Sequence, residues 1–481
     1  MAEETLKQKT AKGLFWGLLN NGTQQLLNLI FGIFLARLLT PADYGMVGML
    51  SVFSFVASSL QESGFTSALV NKKDIKQADY NAVFWFSVSV SFLLYCLLFF
   101  SAPLIASFYN KPELISLSRY SFLGFFISSL GIVPSAYLFR NMLVKQRAKA
   151  AVVGLFCSGI VGILMAYCGY SYWGIATQTL VYISVMTCLM WAACPWRPNF
   201  HIDFSPLKQM IGFSSRLLFT NVFGHINNNL FSIVLGRFYS EKEVGQYNQA
   251  NKWNYMGHSL VSGMVSSVAQ PLFAQIGDDI ERQVRAFRKM LRLTSFVSFP
   301  AMFGLSLVAP ELITIAITDK WAVSAHLLQI LAVNGAFIPV IAIYTQLLIS
   351  KGKSNIFMWN TIAIGILQLA LLLMLYPYGI FTMVSVYVCA NILWLFVWHY
   401  FVKKEIQISL LQAMKDILPY AGISFGVMTF TYFATRSVQN IYLLFFLKIS
   451  LVASLYTLIM WISGSVTFKE CLNYILKRKK M

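Results

Sequence analysis

Charge is what this chain has least of. Charged residues make up 11% of its 481 positions, against roughly 25% in an average soluble domain. Acids are the scarcer sign, 18 against 37 Lys and Arg. A soluble chain of this length would form about three domains, each needing a polar coat, and these residues cannot supply one. A soluble enzyme and a disordered chain are therefore excluded. Cysteine is sparse too. The seven lie at 96, 157, 168, 188, 194, 389 and 471, mostly inside apolar runs and with no C-x-x-C pair, so they read as packing residues and not as a disulfide framework or metal site. The five histidines are scattered without metal-ligand spacing. No metal or cofactor is expected. Met1–Lys12 has no signal-peptide layout, so the first apolar run is expected to serve as an uncleaved signal.

What is abundant is apolar: 57% hydrophobic and 15% aromatic residues. A helical span needs roughly 20 residues to cross about 30 Å of hydrocarbon. Apolar runs fall at about 14–39, 44–69, 82–108, 115–138, 150–169, 172–194, 208–238, 244–274, 292–317, 324–350, 356–376, 379–402, 417–435 and 440–465. The expectation is an all-α polytopic membrane protein of about 14 transmembrane helices with short connections.

Orientation follows from the basic residues between runs. One alternate set of connections carries Lys7, Lys9, Lys12, Lys72, Lys73, Lys76, Arg140, Lys145, Arg147, Lys149, Arg197, Lys208, Arg282, Arg285, Arg288, Lys289, Arg292, Lys351, Lys353, Lys403, Lys404, Lys415, Lys469, Lys477, Arg478, Lys479 and Lys480. The other carries only Lys111, Arg119, Lys242, Lys320 and Arg436. This bias places both termini in the cytoplasm. It also accounts for most of the net charge of +19, so no nucleic-acid partner is expected.

The chain repeats itself. Ala36-Arg37-Leu38-Leu39-Thr40-Pro41-Ala42-Asp43-Tyr44-Gly45 recurs in outline as Gly236-Arg237-Phe238-Tyr239-Ser240-Glu241-Lys242-Glu243-Val244-Gly245, 200 positions later. Asn21 matches Asn221 and Asn28 matches Asn228 at the same offset; Ala102-Pro103 matches Ala309-Pro310, and Pro134 matches Pro339. Six runs separate the two copies of the motif, so the copies enter the membrane in the same direction, as parallel repeats. The expected division is an N-terminal six-helix bundle over 1–200, a second over 201–405, and two further helices with a basic cytoplasmic tail over 406–481.

The first and seventh runs are unusually polar. Asn21, Gln24, Gln25 and Asn28 share one helix face, as do Asn221, His225 and Asn228. Amides facing lipid would lack partners, so these stripes are expected to line an aqueous cavity, with interhelical hydrogen bonding as the plainer reading. Charges inside runs cost about 2.5–3.5 kcal/mol each at the bilayer centre. Lys252 is roughly 12 Å into the eighth run at 1.5 Å per residue and joins the cavity candidates with Arg216 and, near an end of its run, Arg119. Glu62 reads as the only acid well inside a helix, a candidate for pairing with a base or for carrying a coupling cation or proton. Lys448 is expected to snorkel. Pro134 and Pro339 should each loosen a turn. Gly352-Lys353-Ser354 lacks the glycine a phosphate loop needs, since Leu347 stands there. Short outer connections without an acid/base constellation argue against a glycan polymerase or ligase, and no enzyme activity is expected.

Lys12-Gly13-Leu14-Phe15-Trp16, the run Leu35 to Gly45, Ser63-Gly64-Phe65-Thr66-Ser67-Ala68-Leu69 and Ala102-Pro103-Leu104-Ile105-Ala106-Ser107-Phe108-Tyr109 together resemble the polysaccharide transporter family, Wzx-type oligosaccharide flippases of the WzxC-like branch. That family shares a superfamily (MOP) with the MATE exporters and lipid II flippases. The resemblance implies a V-shaped pair of bundles in a bacterial inner membrane, moving an undecaprenyl-diphosphate-linked oligosaccharide to the outer leaflet by alternating access for surface polysaccharide biosynthesis, with Na+ or H+ coupling common in the superfamily. It carries over no catalytic signature. A lipid diphosphate suits Arg and Lys; sugar hydroxyls and ring faces suit Asn, Gln and aromatics. A MATE-like multidrug or small-solute antiporter is the rival, expected to have an apolar or acidic cavity.

Overall fold

In a computed structural model, residues 6–62, 69, 75–200, 204, 211–277 and 279–478 are described, with side chains described except at 6–21, 61–62, 211–221, 471 and 474–478. The helices, in chain order, are α1 (Leu6–Leu38), α2 (Pro41–Glu62), α3 (Gln77–Tyr109), α4 (Leu114–Ser129), α5 (Ile132–Arg140), α6 (Val144–Tyr167), α7 (Tyr172–Ala193), α8 (Ile211–Phe238) and α9 (Glu241–Ile276). They continue as α10 (Ile280–Ile317), α11 (Ala322–Ser350), α12 (Ser354–Leu375), α13 (Ile380–Ile406), α14 (Leu410–Ala434), α15 (Ile441–Ile462) and α16 (Val466–Arg478). No strand occurs among the described residues.

Over its described residues each of the fourteen apolar runs coincides with helix, the fourth being divided between α4 and α5. Among the described residues ten helices are long and apolar enough to cross a membrane, or eleven if the bent α4–α5 pair is one span. The chain is thus a multi-pass membrane protein. Among the described residues α9, rich in amides, is long enough but falls short of this measure in hydropathy. The α4–α5 bend is 41°. It falls where Pro134, lacking an N–H, cannot bond the carbonyl of Leu130, and the chain turns at Gly131. Pro339 leaves α11 unbroken.

Connections are short because the ends are capped. Asn110 closes α3 at φ 54° and Gln407 closes α13 at φ 57°. The side chain of Asp279 accepts the Arg282 N–H at the start of α10, Ser409 accepts that of Gln412 at α14, and Asn440 accepts those of Tyr442 and Leu443 at α15.

Contacts group the chain into two units, Met1–Gly245 and Gln246–Met481. In the first, α6 and α7 pack closely along small residues of α6. Gly154, Ser158, Gly162 and Ala166 recur every fourth position and are buried, which lets helix backbones approach where no hydrophobic effect drives them together. In the second unit α10 is the spine, packed on α11, α14 and α15. Its apolar side is a run of interlocked rings, with Phe287 edge-on to Tyr344 and Phe299 edge-on to Phe337, each pair 5.0 Å apart. Ion pairs fix its two ends. Asp416 of α14 is buried and accepts from Arg288 Nε at 2.7 Å and from its terminal nitrogen at 3.2 Å. Lys448 of α15 donates to Glu311 at 2.6 Å and to the Leu307 carbonyl at 3.3 Å. Lys448 therefore does not snorkel, as was expected of it. It is only 6% exposed because a buried carboxylate takes its charge. Glu311, also 6% exposed, and Asp416 are acids inside spans that were not expected.

Candidate functional site

The two copies of the repeated motif have the same local geometry. In the first, Thr40 N–H and hydroxyl donate to Asp43 at 2.8 and 2.7 Å, and Asp43 N–H returns to the Thr40 oxygen at 3.3 Å. In the second, Ser240 N–H donates to Glu243 at 3.3 Å, and the Ser240 hydroxyl bonds the same carboxylate. In both, the carboxylate three positions on takes the N–H and hydroxyl of the residue before the helix, and in the first copy the bond is returned, making a reciprocal cap. The copies also touch each other within the first unit. A Cβ on Gly45 would lie 1.7 Å from the Glu241 carbonyl oxygen, and one on Gly245 would lie 1.8 Å from that of Pro41. Gly45 and Gly245 are equivalent positions, as are Pro41 and Glu241, so the contact is reciprocal. Around it Lys111 pairs with Glu241 at 2.8 Å, Arg237 donates to the Phe108 carbonyl at 2.5 Å, and Gly236 packs on the ring of Tyr109. Burial pushes the Glu241 carboxyl up, but the hydrogen bond from Lys111, a backbone hydrogen bond and the Lys111 charge together outweigh it and hold the group below its ordinary value of 4.5.

Further along α2, the same unit holds a cavity of about 310 Å³ between α2, α4 and α7. Ser51, Ser54 and Ser58 of α2, Ser121 and Ser128 of α4 and Thr179 of α7 put hydroxyls on its wall, with the rings of Phe55 and Phe125 between them. Ser51 lies about 15 Å from the start of α2 at 1.5 Å per residue, in the middle of the span. The Ser51 hydroxyl is 2.7 Å from the Gly48 carbonyl and 3.0 Å from Asn229 Oδ1, and Thr179 donates to Ile175 at 3.1 Å. Ser121 Oγ is buried with no partner, and Ser54 and Ser58 make no hydrogen bond among the described residues. Buried polar groups are nearly always paired, so the orphaned Ser121 hydroxyl, with the half-buried Ser54 and Ser58 on the same wall, leaves hydrogen bonds open to a polar guest. No acid is among the described lining residues.

The residues singled out from sequence scatter relative to this cavity. His225 is at its edge, its ring stacked on Phe55 at 5.2 Å and 6°. Asn229, one position beyond the expected Asn228, reaches α2, its amide donating to the His225 carbonyl at 2.8 Å. Gln25, Asn28 and Asn228 are exposed. Arg119 is not in the lining: its guanidinium lies 4.4 Å over the Phe99 ring and donates to the Phe99 carbonyl at 3.3 Å. Lys252 belongs to the second unit, half-buried on α9 and without an ion-pair or hydrogen-bond partner among the described residues. Its helix also buries Gln246, Gln249, Asn254 and His258. Gln246 is tied to α11 through Ser324, whose N–H it accepts at 2.8 Å. The side chains of Asn21, Glu62, Arg216 and Asn221 lie outside the described residues. The serines of α2 were missed by sequence reasoning, although 51, 54 and 58 share a helix face.

A family model described as "Polysaccharide biosynthesis protein" matches residues 34–326, more than half of the chain. The teichuronic acid biosynthesis protein TuaB of Bacillus subtilis (strain 168) is 24% identical over 438 residues, 88% of this chain and 90% of TuaB. The succinoglycan biosynthesis transport protein ExoT of Rhizobium meliloti (strain 1021) is 24% identical over 357 residues, 74% of this chain and 72% of ExoT. Among solved structures, the lipid II flippase MurJ in an inward closed conformation matches with a TM-score of 0.75 at 15% identity, over 95% of this chain and 100% of MurJ. An inward-facing MATE multidrug transporter of the MOP superfamily matches at 0.61 and 16% identity, over 85% of this chain and 96% of the transporter. The fold is of the MurJ and MATE type.

Proposed function

The chain belongs to the polysaccharide biosynthesis protein family, and on that premise we propose that it is a flippase for a lipid-diphosphate-linked oligosaccharide, working by alternating access between two six-helix repeats (1–200 and 201–405) in the inner membrane, with both termini cytoplasmic. The observation that carries this reading is the cavity of α2, α4 and α7, whose open hydroxyls at Ser54, Ser58 and Ser121 stand within the span beside aromatic faces. Sugar hydroxyls bond to such a wall and sugar ring faces stack on Phe55 and Phe125. A cavity of about 310 Å³ is near the lower bound of ligand sites, about 300–1,000 Å³, so it takes one part of a glycan at a time. In this reading the reciprocal contact at Gly45 and Gly245 is the outer closure, and its parting opens the cavity to the outside. Lys252 and Arg216 supply cation for the diphosphate; Glu62 is the proposed site for a coupling Na+ or H+.

The test is reconstitution of the full chain in vesicles with a prenyl-diphosphate oligosaccharide in the inner leaflet, read by an outside glycosidase. Glycan should become cleavable with time, with and without imposed ion gradients compared. Replacing Ser54, Ser58 and Ser121 together by Ala should slow this severalfold at unchanged protein level, since each hydrogen bond contributes about 0.5–1.5 kcal/mol. If wild-type vesicles expose no glycan under any gradient, the reading fails.

A further inference from the structure

Helix α2 has two working faces. One carries the hydroxyls just described. The opposite face, with Val52, Phe53, Val56, Ala57 and Leu60, forms a groove of about 660 Å³ with α3 and α8. On α3 the groove is a stripe of Leu94, Leu97, Leu98, Ser101, Leu104, Ile105, Phe108 and Tyr109, completed by Ile226 and Ile233 of α8. Its only hydroxyl-bearing side chains are Ser101 and Tyr109, and Leu97 and Leu104 are open to their surroundings at 59% and 72% exposure.

Two features separate this groove from an ordinary lipid-facing surface. On α2 it reaches Leu60, about 28 Å from the outer start of that helix at Pro41, at 1.5 Å per residue. Half of the hydrocarbon is only about 15 Å thick, so a phospholipid tail seated at the outer surface ends before the groove does. A chain that fills it must cross the midplane. The second feature is a cation at the mouth. Arg237, one turn beyond Ile233, sits 5.4 Å over the Phe108 ring, is exposed and has no acidic partner among the described residues. An exposed guanidinium at the end of an apolar trough suits phosphate.

We infer that this groove holds the prenyl chain of a long-chain polyprenyl diphosphate, with Arg237 taking the diphosphate at the outer end from Lys252 and Arg216, while the sugar lies on the other side of α2, toward the hydroxyl-lined cavity. The inference rests on the flippase reading and on the orientation drawn from the basic residues. It assigns α2 as the wall between the two halves of one amphiphile: apolar tail on one face, glycan on the other, and the helix start at Pro41 beside the charged linkage.

The experiment uses the full chain in phospholipid vesicles and a polyprenyl diphosphate carrying a photoreactive group in its tail. Crosslinks should map to α3 between 94 and 109 or to Ile226–Ile233 of α8. Excess polyprenyl phosphate should compete and phosphatidylglycerol should not. Ser101→Phe, which fills the trough, should reduce labelling severalfold, and Arg237→Gln should raise the probe concentration needed. Leu93→Phe, on α3 but outside the groove, should change nothing and controls for folding. Crosslinks elsewhere, or equal competition by phosphatidylglycerol, overturn the inference. The crosslink is read whether or not glycan is translocated. Translocation without groove labelling therefore sinks the inference alone, whereas a failure to translocate sinks the flippase reading alone.

Discussion

Replacing Gly45 by Ala adds one carbon at the tightest point of the first unit. That carbon would lie 1.7 Å from the Glu241 carbonyl oxygen, 2.5 Å from its carbon and 3.0 Å from its Cα. All three are backbone atoms, so no side-chain rotation relieves the clash. Ordinary contact begins near 3.4 Å, and the two helix starts must separate by about 1.7 Å. Overpacking of this kind costs typically about 1–3 kcal/mol. If the closed contact bears the strain and the parted one does not, the balance moves toward the parted state by about 5- to 150-fold. The assay is reaction of a cysteine placed at Ser51, in a chain whose native cysteines are replaced, with a membrane-impermeant maleimide added outside. Gly45→Ala and Gly245→Ala should each accelerate labelling. The double variant should gain less than the product, because both act on one contact. Gly22→Ala, whose Cβ meets nothing within 4 Å, should have no effect. Unchanged labelling in both single variants at normal protein level would refute the reasoning.

Three further outcomes follow from the geometry. Lys448→Met should destabilise the protein by about 3–5 kcal/mol, because it leaves Glu311 charged and buried; Glu311→Gln combined with Lys448→Met should recover most of the loss in a thermal unfolding assay in detergent. Lys252→Met and Arg216→Gln should lower glycan export at normal membrane levels, and normal export by both would remove the cationic part of the mechanism. Protonating Glu241 weakens its pairing with Lys111. Its pKa is held below 4.5, so that stabilisation is present above the ordinary value and fades as pH falls through the depressed one; labelling at Ser51→Cys should rise only in that acidic window and not at neutral pH.

The helices were legible because a bilayer demands uninterrupted apolar length, and such length is a local property of sequence. The break at Gly131 was legible in part, since Pro134 announces a loosened turn but not that α4 ends there while Pro339 leaves α11 whole. The α2 serines were not noticed because a serine inside a helix can satisfy itself, as Ser51 does on the Gly48 carbonyl, so nothing in the run looks out of place. Glu311 was passed over because it stands near the end of its run, where an acid reads as a boundary. Its partner is 137 positions away, and pairing over that distance leaves no local pattern. The amides of α1 and α8 did draw attention, yet it is Asn229 rather than Asn228 that reaches another helix, a difference of 100° around the axis that boundary estimates cannot resolve.

The distance between Glu311 and Lys448 also has a meaning in time. A ribosome adding about 5–20 residues per second needs about 7–27 s to travel from one codon to the other. Throughout that interval α10 has left the ribosome with a carboxylate whose counter-ion has not been made, and Arg288 waits for Asp416 over a similar stretch. The spine of the second unit therefore cannot settle when it is synthesised. It must be held by the insertion machinery, or lodge near the headgroups, until the last two long helices arrive, which makes the tail of the gene the step that completes biogenesis.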